Sequence, residues 1–197
     1  MKKVLLAILA LAPLAFEGAA FAQTNVRLRG TITAIDGDVM SIQARSTGEP
    51  IKVKLAPDVG VVTAKATSLA ELKPDAYVGV TALKKGDQMV AVEVHTIAPT
   101  VPAGHTPWDL EPNSTMTNAN LKGIAKAANG NEITLEYPGG SQKIVVPAGT
   151  PVVTQVPADR SALKKGEYVF IAGRKEADGS YTALRVQASK DGVKPPQ

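Results

Sequence analysis

The sequence says the same thing twice, and that repetition limits what it can fold into. Residues 26–97 and 119–189 share one order of glycines, turns and alternating apolar positions. In the first stretch Val26, Leu28, Gly30, Ile32 and Ala34 alternate with Arg27, Arg29, Thr31 and Thr33. This is the period of a strand with one wet face and one buried face. Asp36-Gly37 suits a tight hairpin turn, because glycine accepts a positive φ. Met40, Ile42 and Ala44 resume the apolar face, and Thr47-Gly48-Glu49-Pro50 turns the chain again. Ile51, Val53 and Leu55 alternate with Lys52 and Lys54, and residues 59–63 read as a further extended piece. Ser68 followed three residues later by Glu71 has the spacing of a capping box, so one short helical turn is predicted before Lys73-Pro74. Residues 77–83 and 89–97 then form a second hairpin about Lys85-Gly86-Asp87. Its alternation puts Val90, Val92 and Val94 on one face and Ala91, Glu93 and His95 on the polar one.

The second stretch repeats this order. Leu121, Gly123, Ala125 and Ala127 match Leu28, Gly30, Ile32 and Ala34, and Asn129-Gly130 matches the Asp36-Gly37 turn. Ile133 and Leu135 match Met40 and Ile42; Ile144 and Val146 match Val53 and Leu55. Ser161-Ala162-Leu163 falls on the helical turn, Val169 and Ile171 on Val78 and Val80, and Leu184 and Val186 on Val92 and Val94. The offsets drift by a residue or two at turns, where length changes are tolerated. Each copy therefore has five to six short strands and one helical turn. The expected fold class is all-β: two tandem small barrels resembling the oligonucleotide/oligosaccharide-binding (OB) fold, since a sheet this small must close to hide its apolar face. A two-sheet sandwich built jointly by both copies is the alternative.

The ends fit export. Lys2 and Lys3, the apolar run 4–14 and Ala20-Phe21-Ala22 follow the order of a signal peptide. Cleavage is expected near Ala22-Gln23, giving a periplasmic or secreted chain without a transmembrane segment. The expected organisation is a signal peptide over 1–22, a first barrel over 23–97, a proline-rich linker over 98–118, a second barrel over 119–190 and a tail over 191–197. The sequence has no cysteine, so neither disulfides nor thiolate chemistry are open to it. The net charge of +4 is mild. It lacks the basic concentration of a nucleic-acid binder.

Two phrases carry a family resemblance: Leu72-Lys73-Pro74-Asp75-Ala76-Tyr77-Val78-Gly79-Val80, and Leu163-Lys164-Lys165-Gly166-Glu167-Tyr168-Val169-Phe170-Ile171. With the glycine and hairpin-turn pattern before them, they resemble the bacterial exported domain-of-unknown-function family 5666. The linker phrase Gly104-His105-Thr106-Pro107-Trp108-Asp109-Leu110-Glu111-Pro112 resembles a two-unit subgroup of such exported proteins. The resemblance covers nearly the whole chain after the leader. It implies export and an OB-like barrel for each copy, and brings no catalytic or binding residues. Asp75-Ala76 departs from the glycine many members carry there; the second copy keeps Gly166.

Chemistry is best sought in the linker, which holds the single tryptophan, Trp108, and one of two histidines, His105. Long irregular connections are uncommon unless they are functional or spacers. Trp108 is expected to dock on a barrel or plug the gap between the units, because its ring has a large apolar area. Trp108, His105, Tyr168 and Phe170 are the candidate ligand-binding residues; Tyr168 and Phe170 alternate with inward Val169 and Ile171, offering an aromatic platform. His105, Asp109 and Glu111, with His95 if the linker folds back, are the candidate metal ligands, since imidazole and carboxylate suit zinc or copper. Their spacing fits no standard motif, and His95 reads as a solvated strand histidine. Arg27, Arg29, Lys52 and Lys54 read as a solvated basic face. No residue sits in a nucleophile elbow, and Gly139-Gly140 lacks the helix that would present amides to a phosphate.

These readings converge on an exported, non-enzymatic binding or structural module of the bacterial envelope, with no cofactor. Its partner would be a protein, an envelope polymer or a small ligand. The alternatives are a periplasmic metal-binding protein that uses the linker, and an OB-type oligosaccharide or nucleic-acid binder; export argues against nucleic acid.

Overall fold

The computed structural model describes residues 24–195. The expected signal peptide over 1–22 and its expected cleavage site lie outside the described residues. The described residues are all-β, with twelve strands and two short 3-10 turns among them. The strands are β1 (Thr24–Asp36), β2 (Val39–Ala44), β3 (Pro50–Ala66), β4 (Tyr77–Lys85), β5 (Gln88–Thr96), β6 (Gly104–Pro107), β7 (Ser114–Ala127), β8 (Gly130–Tyr137), β9 (Gly140–Pro147), β10 (Val152–Ala158), β11 (Tyr168–Lys175) and β12 (Tyr181–Ala188). No helix among the described residues is long and apolar enough to cross a membrane.

Five strands close into a barrel, in the order β1, β2, β3, β12, β11 and back to β1. This barrel is not the product of one copy of the pattern. Its first three strands come from residues 24–66 and its last two from residues 168–188. The core shows the same exchange: Ile32, Met40, Ile42, Val53 and Leu55 pack with Leu163, Val169, Ile171, Ala183 and Val186. The remaining strands make a second lobe with the complementary composition. There β4 and β5 join β7, β8 and β9, and Val78, Val80 and Val94 pack with Leu121, Ile133, Leu135, Ile144 and Val146. A bridge from Val90 to Val145 links β5 to β9. Each stretch thus gives its second hairpin to the lobe of the other, an exchange of like elements of the kind seen in swapped dimers.

The crossing point is visible in the pairing of β3 with β10. The two run antiparallel, with Val62 opposite Pro157, Ala64 opposite Gln155 and Ala66 opposite Val153. Those partners are related by the same spacing of 91 positions that relates the two stretches: Val62 to Val153, Ala64 to Gln155, Ala66 to Pro157. Ala64 and Gln155 therefore sit on a local twofold relation between the lobes. Beyond β3, Leu69, Leu72 and Ala76 already pack on the second core, whereas Ala158 and Leu163 pack on the first.

Local expectations are met in part. Glu71 Oε2 accepts from the Ser68 amide at 2.9 Å and from Thr67 Oγ1 at 2.7 Å, as a capping residue should. These bonds hold its carboxyl below the ordinary range. The matching turn, Arg160–Ala162, is capped by Asp159 through the Ser161 amide and lies at the same 91-residue offset from Leu69–Glu71 as the strands around it. The first hairpin turns on Gly37-Asp38, with Gly37 at φ +57°, rather than on Asp36-Gly37. The β7–β8 hairpin turns on Ala128-Asn129, and Gly130 already pairs with Ala127.

The alternation expected along β5 fails at a bulge. Thr81 faces Glu93 but Ala82 faces Ala91, which leaves Val92 as the extra residue. A bulge reverses the side-chain phase. Val94 and Ala91 both enter the core for this reason. The equivalent hairpin has its bulge in the same place, at Leu184 between Ala183 and Arg185, so Val186 and Ala183 both point inward.

Candidate functional site

The exchange leaves a seam between the lobes, and the polar side chains worth attention lie along it. On one side is β5 of the second lobe, carrying Glu93 and His95. On the other are β10, β11 and β12, carrying Gln155, Phe170, Arg185 and Gln187. The seam opens at one end into a cleft of about 950 Å³ whose lining includes Thr31, Arg45, Glu93, Val153, Tyr168 and Lys194. At the other end is a smaller hollow of about 150 Å³ bounded by His95, Trp108, Met116, Gln155, Phe170 and Arg185, among others. The larger cleft is in the size range of small-molecule sites.

Glu93 and His95 are both 5% exposed. This corrects the expectation that His95 is a solvated strand histidine: the outer face of β5 is covered because the other lobe packs there. His95 lies across from Gly79. A Cβ on Gly79 would overlap the imidazole, so the glycine is what lets the ring lie flat on β4. Its Nδ1 is 3.2 Å from Glu93 Oε1, without the alignment of a hydrogen bond. The same carboxylate oxygen accepts from Thr81 Oγ1 at 3.0 Å. This hydroxyl–acid–imidazole order does not make a nucleophilic triad. There the hydroxyl must bond the imidazole, and the acid must orient the ring from its far side. Thr81 instead bonds the acid, and it is fully buried. Across the seam Arg185 Nη2 donates to Gln155 Oε1, and Gln155 Nε2 donates to Gln187 Oε1 at 3.0 Å. Burial lowers the Arg185 guanidinium from its ordinary value.

Of the four residues expected to bind ligand, the structure brings Trp108 and Phe170 together and places Tyr168 and His105 apart from that pair. Phe170 and Tyr168 do not form an exposed platform. Phe170 is buried and stacks on Trp108 with ring centroids 6.3 Å apart and planes 22° apart. Tyr168 lines the cleft, with Lys194 of the tail 5.6 Å from its ring centroid. Trp108 docks on the closed barrel, as its apolar area demands, with the Arg27 guanidinium 4.0 Å from its ring centroid. His105 goes elsewhere, stacking on Tyr137 at 6.4 Å, with Nδ1 2.8 Å from Thr117 Oγ1.

The stretch expected to be a linker is largely organised. Residues 104–107 form β6 on β7, and β7 starts at Ser114, inside the expected linker. Tyr77 Oη fastens the stretch by donating to the Val101 carbonyl at 2.7 Å. Asp109 reaches Arg29 Nη2 at 2.8 Å and Arg27 Nη1 at 3.7 Å, so those arginines are not a merely solvated face. Of the four residues expected to bind metal, His105 lies against Thr117, Asp109 against the arginines and His95 beside Glu93. Glu111 shares a groove of about 650 Å³ with His105 and Trp108. Among the described residues, no group of three His, Asp or Glu side chains is placed to hold a metal ion.

Burial depresses the His105 pKa. The neutral ring is favoured in the fold, so protons bind the unfolded chain more readily between the lowered value and the ordinary one near 6.5. His105 therefore contributes stability that is complete above about pH 6.5 and declines as the pH falls toward the lowered value. Melting curves between pH 7.5 and 5.5 should show a fall in Tm that is shallower in His105→Gln. Equal slopes for the two proteins would refute this.

Glu93 was the residue that sequence reasoning missed. A carboxylate two positions from a histidine on a strand reads as a pair of solvated polar residues unless the second lobe is known. No family model, curated protein or solved structure matches the chain.

Proposed function

We propose that this protein is an exported, non-enzymatic binding module in which an internally duplicated OB-like unit makes both lobes, and that its ligand enters the cleft between them. The observation that carries the reading is the cleft itself, about 950 Å³ in volume, with the buried Glu93 on its wall and Tyr168 and Arg45 beside it. A site built where two lobes meet can combine an apolar wall, here Val92, Val152 and Val153, with a few polar groups that set orientation. The arrangement of Thr81, Glu93 and His95 supports binding over catalysis, because Thr81 donates to the acid and not to the imidazole, which leaves no nucleophile–base pair. The lysine-led leader and small-residue cleavage motif support export and place the ligand among envelope polymers, their fragments or small solutes.

The test is a thermal-shift panel of soluble peptidoglycan fragments, neutral oligosaccharides and small metabolites, followed by calorimetry on any hit. A ligand at a hundred times its Kd adds about 2.7 kcal/mol, which for a domain of this size raises Tm by roughly 5–10 °C. Ala66→Trp, placed at the lining of the cleft, should abolish the shift while the unliganded protein still melts cooperatively. A hit that binds Ala66→Trp unchanged would put the site elsewhere, and silence across the panel would count against a small ligand.

A further inference from the structure

We infer that a second hollow, between β1, the end of β2 and the Trp108-Asp109 strap, is a site for an anionic group, and that Asp109 is its internal competitor. The hollow is about 200 Å³ and is lined by Arg27, Arg29, Arg45, Asp109 and Leu110, with Ser46 at its edge. It goes beyond the reading of the cleft and does not depend on it.

The charge count points to an anion. Arg27 and Arg29 are two residues apart on β1 and so project from the same face. Arg45 is brought beside them because its amide donates to the Arg29 carbonyl at 2.7 Å. Among the described residues, Arg27 and Arg29 face the carboxylate of Asp109 at this hollow, and Arg45 stands at its edge. Arg29 adds a second observation. Its side chain is 11% exposed, and its Nε–H is buried with no acceptor. Guanidinium groups present donors in a planar fork suited to phosphate and carboxylate, and a buried donor without an acceptor is costly.

The strap already places one anion at these arginines. Asp109 lies 2.8 Å from Arg29 Nη2, and Trp108 is held under Arg27. The Asp109 side chain is 42% exposed, so the contact is open to solvent exchange. A phosphate or carboxylate group from outside would compete with this carboxylate for Arg29 and meet Arg27 next to the tryptophan ring. Both groups occur on envelope polymers and as free solutes; their shared chemistry is an oxyanion that accepts two or more N–H bonds.

Trp108 is the single tryptophan of the chain and lies against Arg27, so its fluorescence reports on this site, and the Arg27 and Asp109 variants separate a response here from one at the other hollows it borders. The full-length mature protein is titrated at low salt with inorganic pyrophosphate and, in parallel, with citrate. A saturable change is expected with at least one probe. A response to pyrophosphate alone assigns a phosphate, a response to citrate alone a carboxylate, and a response to both a site that reads charge. In Asp109→Asn the midpoint should fall at least about fivefold, since a unit charge a few ångströms away is removed from a partly shielded site. Arg27→Gln, which is largely exposed and leaves the barrel core intact, should raise the midpoint by a similar factor. Lys126→Gln, a lysine on the second lobe, is the control for overall charge and should leave the midpoint unchanged. The inference is overturned if neither probe changes the fluorescence, if Asp109→Asn and Arg27→Gln titrate like the wild type, or if Lys126→Gln weakens binding as much as Arg27→Gln.

Discussion

Cutting the chain once between the lobes' donor stretches should leave it in one piece. A protease site inserted after Thr100, in the exposed segment 98–100, would divide the protein into fragments that each hold strands of both lobes. After cleavage the two fragments are expected to co-elute as a single species of unchanged hydrodynamic size, and to part only in denaturant. The physical reason is the exchange of hairpins. The closed barrel needs β1, β2 and β3 from one fragment and β11 and β12 from the other, and the second lobe needs the complementary set. Separating the fragments would open both hydrophobic cores at once. Had each copy of the pattern folded by itself, the fragments would drift apart in buffer, and two smaller species on a sizing column would disprove the exchange.

The second large effect is expected in the core. Ile171 is 1% exposed and belongs to β11, which crosses into the closed barrel. Ile171→Ala should destabilise the protein by about 2–5 kcal/mol, the usual cost of truncating a fully buried branched side chain in a rigid core. Leu184→Ala should cost less than about 0.5 kcal/mol, because the bulge turns Leu184 outward and leaves it 41% exposed. The informative comparison is a pair of double-mutant cycles by urea denaturation. Ile171→Ala should couple to Ile42→Ala, which shares its core, and should be additive with Leu135→Ala, which does not. Reading each copy as its own barrel predicts the opposite: coupling to Leu135, because both lie in residues 119–189. Coupling in that direction would refute the observed topology.

Much of the local structure was legible because it depends on neighbours in sequence. The alternation of Leu28, Gly30 and Ile32 with Arg29 and Thr31 marks a strand whichever lobe contains it. Ser68 and Glu71 satisfy each other's amides within one turn, so their spacing alone predicts the cap. Even the docking of Trp108 followed from the area of its ring. The reading failed where one inserted residue or one distant surface changed the outcome. Val92 and Leu184 are bulged, and no propensity in either strand marks the place, so the faces expected for Val90 and Ala91, ahead of the bulge in β5, are reversed. His95 and Glu93 have the composition of a wet face, and Phe170 that of an exposed platform. All three are buried because a distant part of the chain packs there, β10 beside His95 and Trp108 on Phe170.

The repeated pattern by itself determined the all-β class and most of the apolar positions, since alternation and turn chemistry act over a few residues. It carried no information about which hairpin closes which barrel. Both hairpins offer nearly the same apolar face, Val78, Val80 and Val94 in one and Val169, Ile171 and Val186 in the other. Either would fill either core, so local hydrophobicity is indifferent to the choice. What decided it was tertiary: β3 continues straight through to pair with β10 across Ala64 and Gln155, and that path delivers the following hairpin to the far lobe. The cleft and the buried Glu93 are consequences of that crossing, which only the folded chain displays.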